Sequence, residues 1–162
     1  MGDQRKITYK ERNDLMDAKK LWDLFVENYP KYQDASYTAW QFGVEDDLLA
    51  ELTAKGIKTA TTSGYDLYEK EHEPLPKEGE FNIILNHDNQ AICITQTTKV
   101  YVVPFKDVTK EHAYKEGEGD RSLDYWRSVH NEFFTEYYIE NDVPFNEDSL
   151  VVCEEFGVVY QK

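Results

Sequence analysis

Two long segments of the chain carry apolar residues at helical spacing. The first is 13–28, where leucine, tryptophan and phenylalanine recur every three or four positions after Asn13 and Asp14, the candidate N-caps. The second is 121–138, where Leu123, Trp126 and Phe134 fall on one face. Shorter patterns predict helices at 44–55, 65–70 and 106–115. The chain therefore contains at least two amphipathic helices that require an apolar surface to pack on.

Between these segments the apolar pattern changes to that of strands. β-branched and aromatic residues predict strands at the ranges 36–42, 57–63, 80–85, 90–98, 99–105 and 149–160. Strands follow one another without clean alternation with helices, and no linker-like segment interrupts them. We therefore predict one α+β domain, residues 1–162, built around a small, partly closed β-barrel with flanking helices.

Charge limits the classes of ligand. The 162 residues include 18 Lys plus Arg against 32 Asp plus Glu, a net charge of −14. Such a chain is poorly suited to double-stranded DNA or other long nucleic acid, which binds through cationic side chains. A small ligand, or local contact with RNA, is favoured. No apolar run approaches a membrane span and the N-terminus lacks a secretory pattern, so we expect a cytoplasmic protein with Cys93 and Cys153 as core thiols. No phosphate-loop or dinucleotide motif is present, and no cofactor is expected.

The segment GIKTATTS, residues 56–63, is the first candidate for chemistry. Lys58 and Thr61 are three positions apart. In a bent backbone after a helix-ending glycine they would share one face, whereas on an extended strand they would point to opposite faces. A lysine beside a threonine hydroxyl can act as a base for a nucleophile. The alternative is that Lys58 caps a helix and the threonines only favour a strand.

The second candidate is the acidic turn EGEGD, residues 116–120, just before the second long helix. Glu116 and Glu118 could hold a substrate amine or a divalent cation, or they could be a solvated capping turn. Trp126, Arg127 and His130 follow on that helix and could border a pocket. Arg127 and His130 could equally make ordinary structural contacts.

Several of these stretches together resemble the ASCH domain family of the PUA-like superfamily, in particular a longer bacterial subgroup. The resemblance rests on Phe42-Gly43, GIKTATTS with Tyr65 and Tyr68, Pro104-Phe105, EGEGDRSLDYWRSVHNEFF and VVCEEFGVVY. It extends from about residue 36 to the end of the chain. It implies a PUA-like β-barrel with flanking helices and a cleft beside the Gly-x-Lys loop.

The same resemblance implies three functions. Some members of the superfamily resemble amidohydrolases that remove the acetyl group from the exocyclic amine of acetylated cytidine, using a lysine, a threonine three residues later and a downstream glutamate. Lys58, Thr61 and either Glu116 or Glu118 match that set, with Tyr65, Tyr68, Trp126, Arg127 and His130 as candidate substrate-binding residues. The alternatives are a non-catalytic module that binds RNA or a nucleotide, and a metal-assisted ribonuclease. Ser63 stands where the family often has arginine, which weakens the case for phosphate contact.

Overall fold

The computed structural model of the protein describes residues 16–162. Its helices and strands are α1 (Ala18–Asn28), β1 (Tyr37–Trp40), α2 (Asp46–Ala54), β2 (Ala60–Gly64), α3 (Tyr65–Lys70), β3 (Phe81–Leu85), β4 (Ala91–Pro104), α4 (Lys110–Glu116), α5 (Leu123–Glu140) and β5 (Leu150–Tyr160). Short 3₁₀ turns occupy Pro30–Tyr32 and Phe105–Asp107. No described helix is both long enough and apolar enough to cross a membrane.

The strands form one five-stranded sheet in the order β1-β3-β4-β5-β2. β1 pairs with β3 in parallel, and the other neighbours are antiparallel. The predicted α+β class is confirmed. The predicted barrel is not closed, because β1 and β2 stand at opposite edges of the sheet instead of pairing with each other.

Most predicted elements are present with shifted ends. The first helix begins at Ala18, because Asp17 accepts a hydrogen bond from the amide of Lys20 and caps it (2.8 Å). Asn13 and Asp14, the predicted caps, lie outside the described residues. The strand predicted at 90–98 continues through 99–105 as expected, and the two ranges form β4. The helix predicted at 106–115 is divided into a 3₁₀ turn and α4, which begins after the cap Thr109.

Helices cover the sheet on two sides and divide the core. α1 packs Leu21, Trp22 and Phe25 against β3 and the start of β4. On the other side α5 packs Trp126, Phe134 and Tyr138 against β5. Such aromatic side chains bury large apolar areas and fix the position of the helix that carries them. The N-terminal turns of α5 are thereby held beside the Gly-x-Lys loop and the acidic turn. Cys93 and Cys153 are buried, free thiols.

Candidate active site

The Gly-x-Lys loop is shaped by the end of α2. Gly56 has a φ of +76°, a left-handed conformation that favours glycine. After it the amide of Lys58 still donates to the carbonyl of Leu52 at 3.1 Å. The next amide, that of Thr59, donates to the carbonyl of Lys115 at 2.7 Å, which ties the loop to the end of α4. The backbone at Lys58 is thus bent, and its side chain is directed toward α4.

The acidic turn meets this lysine from the other side. α4 ends at Glu116, and Gly117 follows with a φ of +74°. Lys58, only 1% exposed, places its Nζ atom 3.2 Å from Oε1 of Glu116 and 3.1 Å from Oε2 of Glu118. The same Nζ is 3.3 Å from the backbone carbonyl of Glu116. An ammonium group has three protons, and here it has three acceptors. Both predicted glutamates therefore face Lys58.

Glu116 is itself held by several donors. It is 1% exposed, and its Oε2 atom accepts hydrogen bonds from the hydroxyl of Thr62 (2.7 Å) and from the indole N–H of Trp126. Nε2 of His130 lies 3.6 Å from Oε1 of Glu116, and the His130 ring stacks on Trp126. We call Lys58, Thr62, Glu116, Glu118 and His130 the Glu116 cluster.

The hydrogen bonds around His112, which borders this cluster, indicate which of its ring nitrogens carries a proton. Thr62 gives its single hydroxyl proton to Glu116, so its oxygen can only accept from His112 Nε2, 2.7 Å away. His112 therefore carries its proton on Nε2. Its Nδ1 atom is buried without a hydrogen-bond partner among the described residues, which suits a lone pair better than an N–H group. His112 thus supports Thr62 in its contact with Glu116.

The charges of the cluster shift the pKa of two groups. Burial alone would raise the pKa of Glu116, but the positive charge of Lys58, followed by that of His130, holds it well below its ordinary value. For His130 burial works toward a lower pKa, and the charge and hydrogen bond of Glu116 outweigh it, so the pKa is raised above 6.5. The Glu116 carboxylate thus favours the charged form of His130.

The raised pKa of His130 predicts a pH-dependent contribution to stability. The pKa is higher in the folded than in the unfolded protein, so the stabilisation is fully present below pH 6.5 and is lost as the pH rises through the folded value. We expect His130→Gln to lower the free energy of unfolding more at about pH 6 than at about pH 9, measured by urea denaturation. The exposed His87 provides the control His87→Gln. An equal loss at both pH values for His130→Gln would contradict the ion pair.

Thr61 does not join the Glu116 cluster. It pairs with Glu154 across β2 and β5, while Thr62 pairs with Cys153, and side chains alternate between the faces of a strand. Thr62 consequently points toward α4 and α5, whereas Thr61 lies on the opposite face. Among the described residues no hydrogen bond joins Lys58 to Thr61. Lys58 and Thr61 are therefore on different sides of β2.

The face that carries Thr61 opens on a cavity of about 1180 Å³. Both edge strands of the open sheet, β1 and β2, contribute to its walls. Its aromatic lining comprises Tyr37, Trp40, Phe42, Tyr68, Phe81, Phe133, Phe134 and Tyr137. Its charged lining comprises Glu71, Glu73, Lys77, Glu78, Glu80 and Glu154. The Phe42 ring separates the cavity from the cluster, with its centroid 5.3 Å from Nζ of Lys58. Concave, largely apolar cavities with a few polar groups are typical small-molecule sites.

The predicted substrate-binding residues divide into three groups: one lines the cavity, two contact Glu116, and two do neither. Tyr68 lines the cavity, where its hydroxyl group lies 2.6 Å from Oγ of Ser63. Trp126 and His130 contact Glu116 instead. Tyr65 is not part of the cavity wall. Arg127 donates to the carbonyl of Lys106 at 2.7 Å, so the structure does not bring it to either glutamate.

Sequence reasoning missed four residues at these sites. Thr62 belongs to the Glu116 cluster, His112 borders it, and Glu154 lies in the cavity wall. Arg121 donates to the carbonyl of Ile57 at 3.3 Å and stacks on Tyr114, which joins the acidic turn to the Gly-x-Lys loop. A signal existed for His112, four residues before Glu116 on a helix and therefore on the same face. The other three depend on contacts between distant segments.

A divalent cation has a conceivable site in the cluster. Glu116, Glu118 and His130 each offer a ligand atom, and these atoms lie within 4.8 Å of one another. The ammonium group of Lys58, however, lies between the two carboxylates at hydrogen-bond distance from both. A metal ion would have to displace this buried charge, at the cost of like-charge repulsion. The geometry therefore favours an ion-pair cluster over the metal-dependent ribonuclease considered above.

Comparison with known proteins places this chain in a family. The family model of the ASCH domain matches residues 38–160, most of the chain. The chain belongs to the ASCH domain family. This family is generally thought to bind RNA or to act in RNA-related roles. A search of curated proteins gives no match.

Solved structures agree with the family assignment. An ASCH domain from Lactobacillus crispatus JV V101 is 32% identical, with a TM-score of 0.78, over 86% of this chain and 94% of the other. A protein from Enterococcus faecalis V583 is 34% identical, with a TM-score of 0.78, over 87% of this chain and 86% of the other. The fold of this ASCH domain is thus shared with proteins of similar length.

Proposed function

We propose that this ASCH domain protein is an amidohydrolase that removes an acyl group from the exocyclic amine of a modified nucleoside or nucleobase, of the acetylated-cytidine type. The cavity would hold the base. One observation carries the proposal: a single strand, β2, connects a cavity wall to a buried charge cluster. Thr61 lines the cavity, and its neighbour Thr62 hydrogen-bonds to Glu116 of the cluster.

In the proposed reaction the hydroxyl oxygen of Thr61 attacks the acyl carbonyl carbon, and Lys58 receives the hydroxyl proton. The carbon–nitrogen bond then breaks, and a glutamate of the acidic turn delivers a proton to the leaving amine. Water hydrolyses the threonine ester, which releases the carboxylic acid and restores Thr61. The set Lys58, Thr61 and glutamate is the one that the family resemblance implies.

Lys58 can accept a proton only after it has given one away, because all three of its protons are donated to acceptors. The low pKa of Glu116 makes this carboxylate a poor recipient. Glu118 contacts Lys58 at 3.1 Å and retains 19% exposure, so we assign it the role of proton acceptor and, later, of acid. Substrate binding must also bring Lys58 and Thr61 together past Phe42. Catalytic hydrogen bonds commonly tighten only in the substrate complex.

Hydrolysis of acetylated cytidine tests this proposal. We expect turnover by the wild type and its loss in Thr61→Val and Lys58→Ala. Thr59→Val is the matched control, because the Thr59 hydroxyl bonds the carbonyl of Lys115 and does not line the cavity. Thermal unfolding monitors the fold of each variant. Absence of wild-type turnover, or full activity of Thr61→Val, would show that the mechanism is wrong.

The second candidate is a non-catalytic module that binds single-stranded RNA. The aromatic lining of the cavity favours it, because bases stack on such side chains. Against it stands the charge of the cavity, where Lys77 is the one basic residue in the described lining. RNA binding through phosphates weakens as salt rises. If this candidate is correct, an oligonucleotide titration at two salt concentrations should show weaker binding at the higher salt. Acetylated cytidine should then remain unhydrolysed.

A further inference from the structure

Glu154 occupies an unusual position in the cavity wall. It is 8% exposed, lies in the middle of β5, and has no part in the reaction proposed above. Its Oε1 atom accepts a hydrogen bond from the hydroxyl of Thr97 at 2.7 Å. Within residues 16–162 no donor reaches its Oε2 atom. Oε2 is therefore the oxygen of this carboxyl group that remains accessible to water or to a ligand.

The orientation of Glu154 is fixed by a chain of three hydrogen bonds. The indole of Trp40 can only donate, so it sets the Asn82 amide with Oδ1 toward the indole, at 2.9 Å. Nδ2 of Asn82 then faces Oγ1 of Thr97 at 3.3 Å and donates to it. The Thr97 hydroxyl, occupied as an acceptor, donates its own proton to Glu154. All donors in the chain thus run in one direction and end at Oε1.

Among the described residues, Thr97 provides the one hydrogen bond that the Glu154 carboxyl group receives. Burial raises the pKa of Glu154, the hydrogen bond from Thr97 opposes that shift, and the charge of Glu80 adds to it. A ligand that donated an N–H group to Oε2 would supply the donor that the protein does not. The remaining charged lining, four further glutamates and Lys77, disfavours a phosphate group nearby.

We propose that Glu154 determines the ligand specificity of the cavity, by accepting a hydrogen bond at Oε2 from an exocyclic N–H group of a neutral, phosphate-free nucleobase or nucleoside. This proposal rests on the proposed function for its ligand class, and it adds a specificity residue to it. A cytosine-type base presents an N–H donor at its 4-position, whereas a uracil-type base presents a carbonyl acceptor there. Glu154 therefore selects the cytosine type.

The direction of the hydrogen-bond chain makes Glu154→Gln a sharp test. Thr97 donates to Oε1, so the carbonyl oxygen of the glutamine must take that position, and the amide NH₂ group takes the position of Oε2. The substitution replaces an acceptor by a donor without a change of shape. We expect wild type to bind cytidine about tenfold more tightly than uridine and Glu154→Gln to reverse the preference, measured by calorimetry.

Glu155→Gln, the next residue on the strand, should keep the preference for cytidine, because Glu155 pairs with Lys115 outside the cavity. Cytidine monophosphate should bind the wild type more weakly than cytidine. Wild type that binds uridine as well as cytidine, or prefers the monophosphate, or binds none of these, overturns the proposal, as does an unchanged preference in Glu154→Gln. Cytidine selectivity without hydrolysis of acetylated cytidine would refute the hydrolase and leave Glu154 as a specificity residue.

Discussion

Replacement of Lys58 by methionine is expected to lower the free energy of unfolding by about 3 to 5 kcal/mol, because it leaves a buried carboxylate without its cation. Glu116 is 1% exposed, and Nζ of Lys58 donates to two of its oxygen atoms, Oε1 of the carboxylate and the main-chain carbonyl oxygen. The loss should be measured by urea or guanidinium denaturation at neutral pH. The pKa of Glu116 should rise in the variant, since burial then acts with less opposition.

Two further variants separate the charge effect from loss of side-chain packing. Lys58→Met/Glu116→Gln removes both charges and should recover a large part of the lost stability. Lys55→Met, three residues earlier, removes an exposed partner of Glu51 and should cost less than about 1 kcal/mol. If Lys58→Met costs no more than Lys55→Met, the buried ion pair does not stabilise the fold in the manner described.

The second large effect is expected at Gly117. A Cβ atom there would lie 2.6 Å from the carbonyl oxygen of Ile57 and 3.0 Å from the amide nitrogen of Lys58, both of them backbone atoms that cannot rotate away. The backbone φ of +74° adds strain for any other residue. We expect Gly117→Ala to cost about 2 to 4 kcal/mol, as the sum of left-handed strain and steric crowding.

Gly56→Ala is the matched control for this prediction. Gly56 has a φ of +76°, but a Cβ atom there would have nothing within 4 Å. Its substitution should cost only the backbone strain, about 1 to 2 kcal/mol. The difference between the two variants measures how closely the acidic turn approaches the Gly-x-Lys loop. Equal losses would mean that the close approach at Gly117 is unimportant for stability.

Local patterns predicted the elements well, because their causes are local. The period of apolar residues located α5 and its packing face, and Gly56 at the end of α2 follows from the demand for a left-handed residue. The observed ends of helices differ from the predicted ends where a capping residue sets them, as Asp17 does for the start of α1. The closure of the barrel could not be judged from local patterns, since it depends on whether two distant strands pair.

The candidate site was predicted in part. A bend after Gly56 was considered as a way to place Lys58 and Thr61 on one face, which is not the arrangement found. The resemblance named Glu116 and Glu118, and both contact Lys58. The sequence did not decide which residues of β2 point to which face of the strand. It therefore left open whether Thr61 shares a face with Lys58. The role of Glu154 depends on Trp40, Asn82 and Thr97, which come from three different strands. No spacing in the sequence reveals such a chain.

The small residues of β2 have a consequence for the identity of its functional hydroxyls. Thr61 and Thr62 are chemically equivalent, so a slip of the strand by one position would exchange the residue in the cavity with the one at Glu116 without any change of composition. Ala60 and Gly64 prevent this slip. Ala60 is fully buried, and a Cβ atom at Gly64 would lie 2.5 Å from the hydroxyl oxygen of Tyr138. The face on which each threonine hydroxyl lies is therefore set by two residues without reactive side chains, and one of them, Gly64, leaves the space that Tyr138 of α5 occupies.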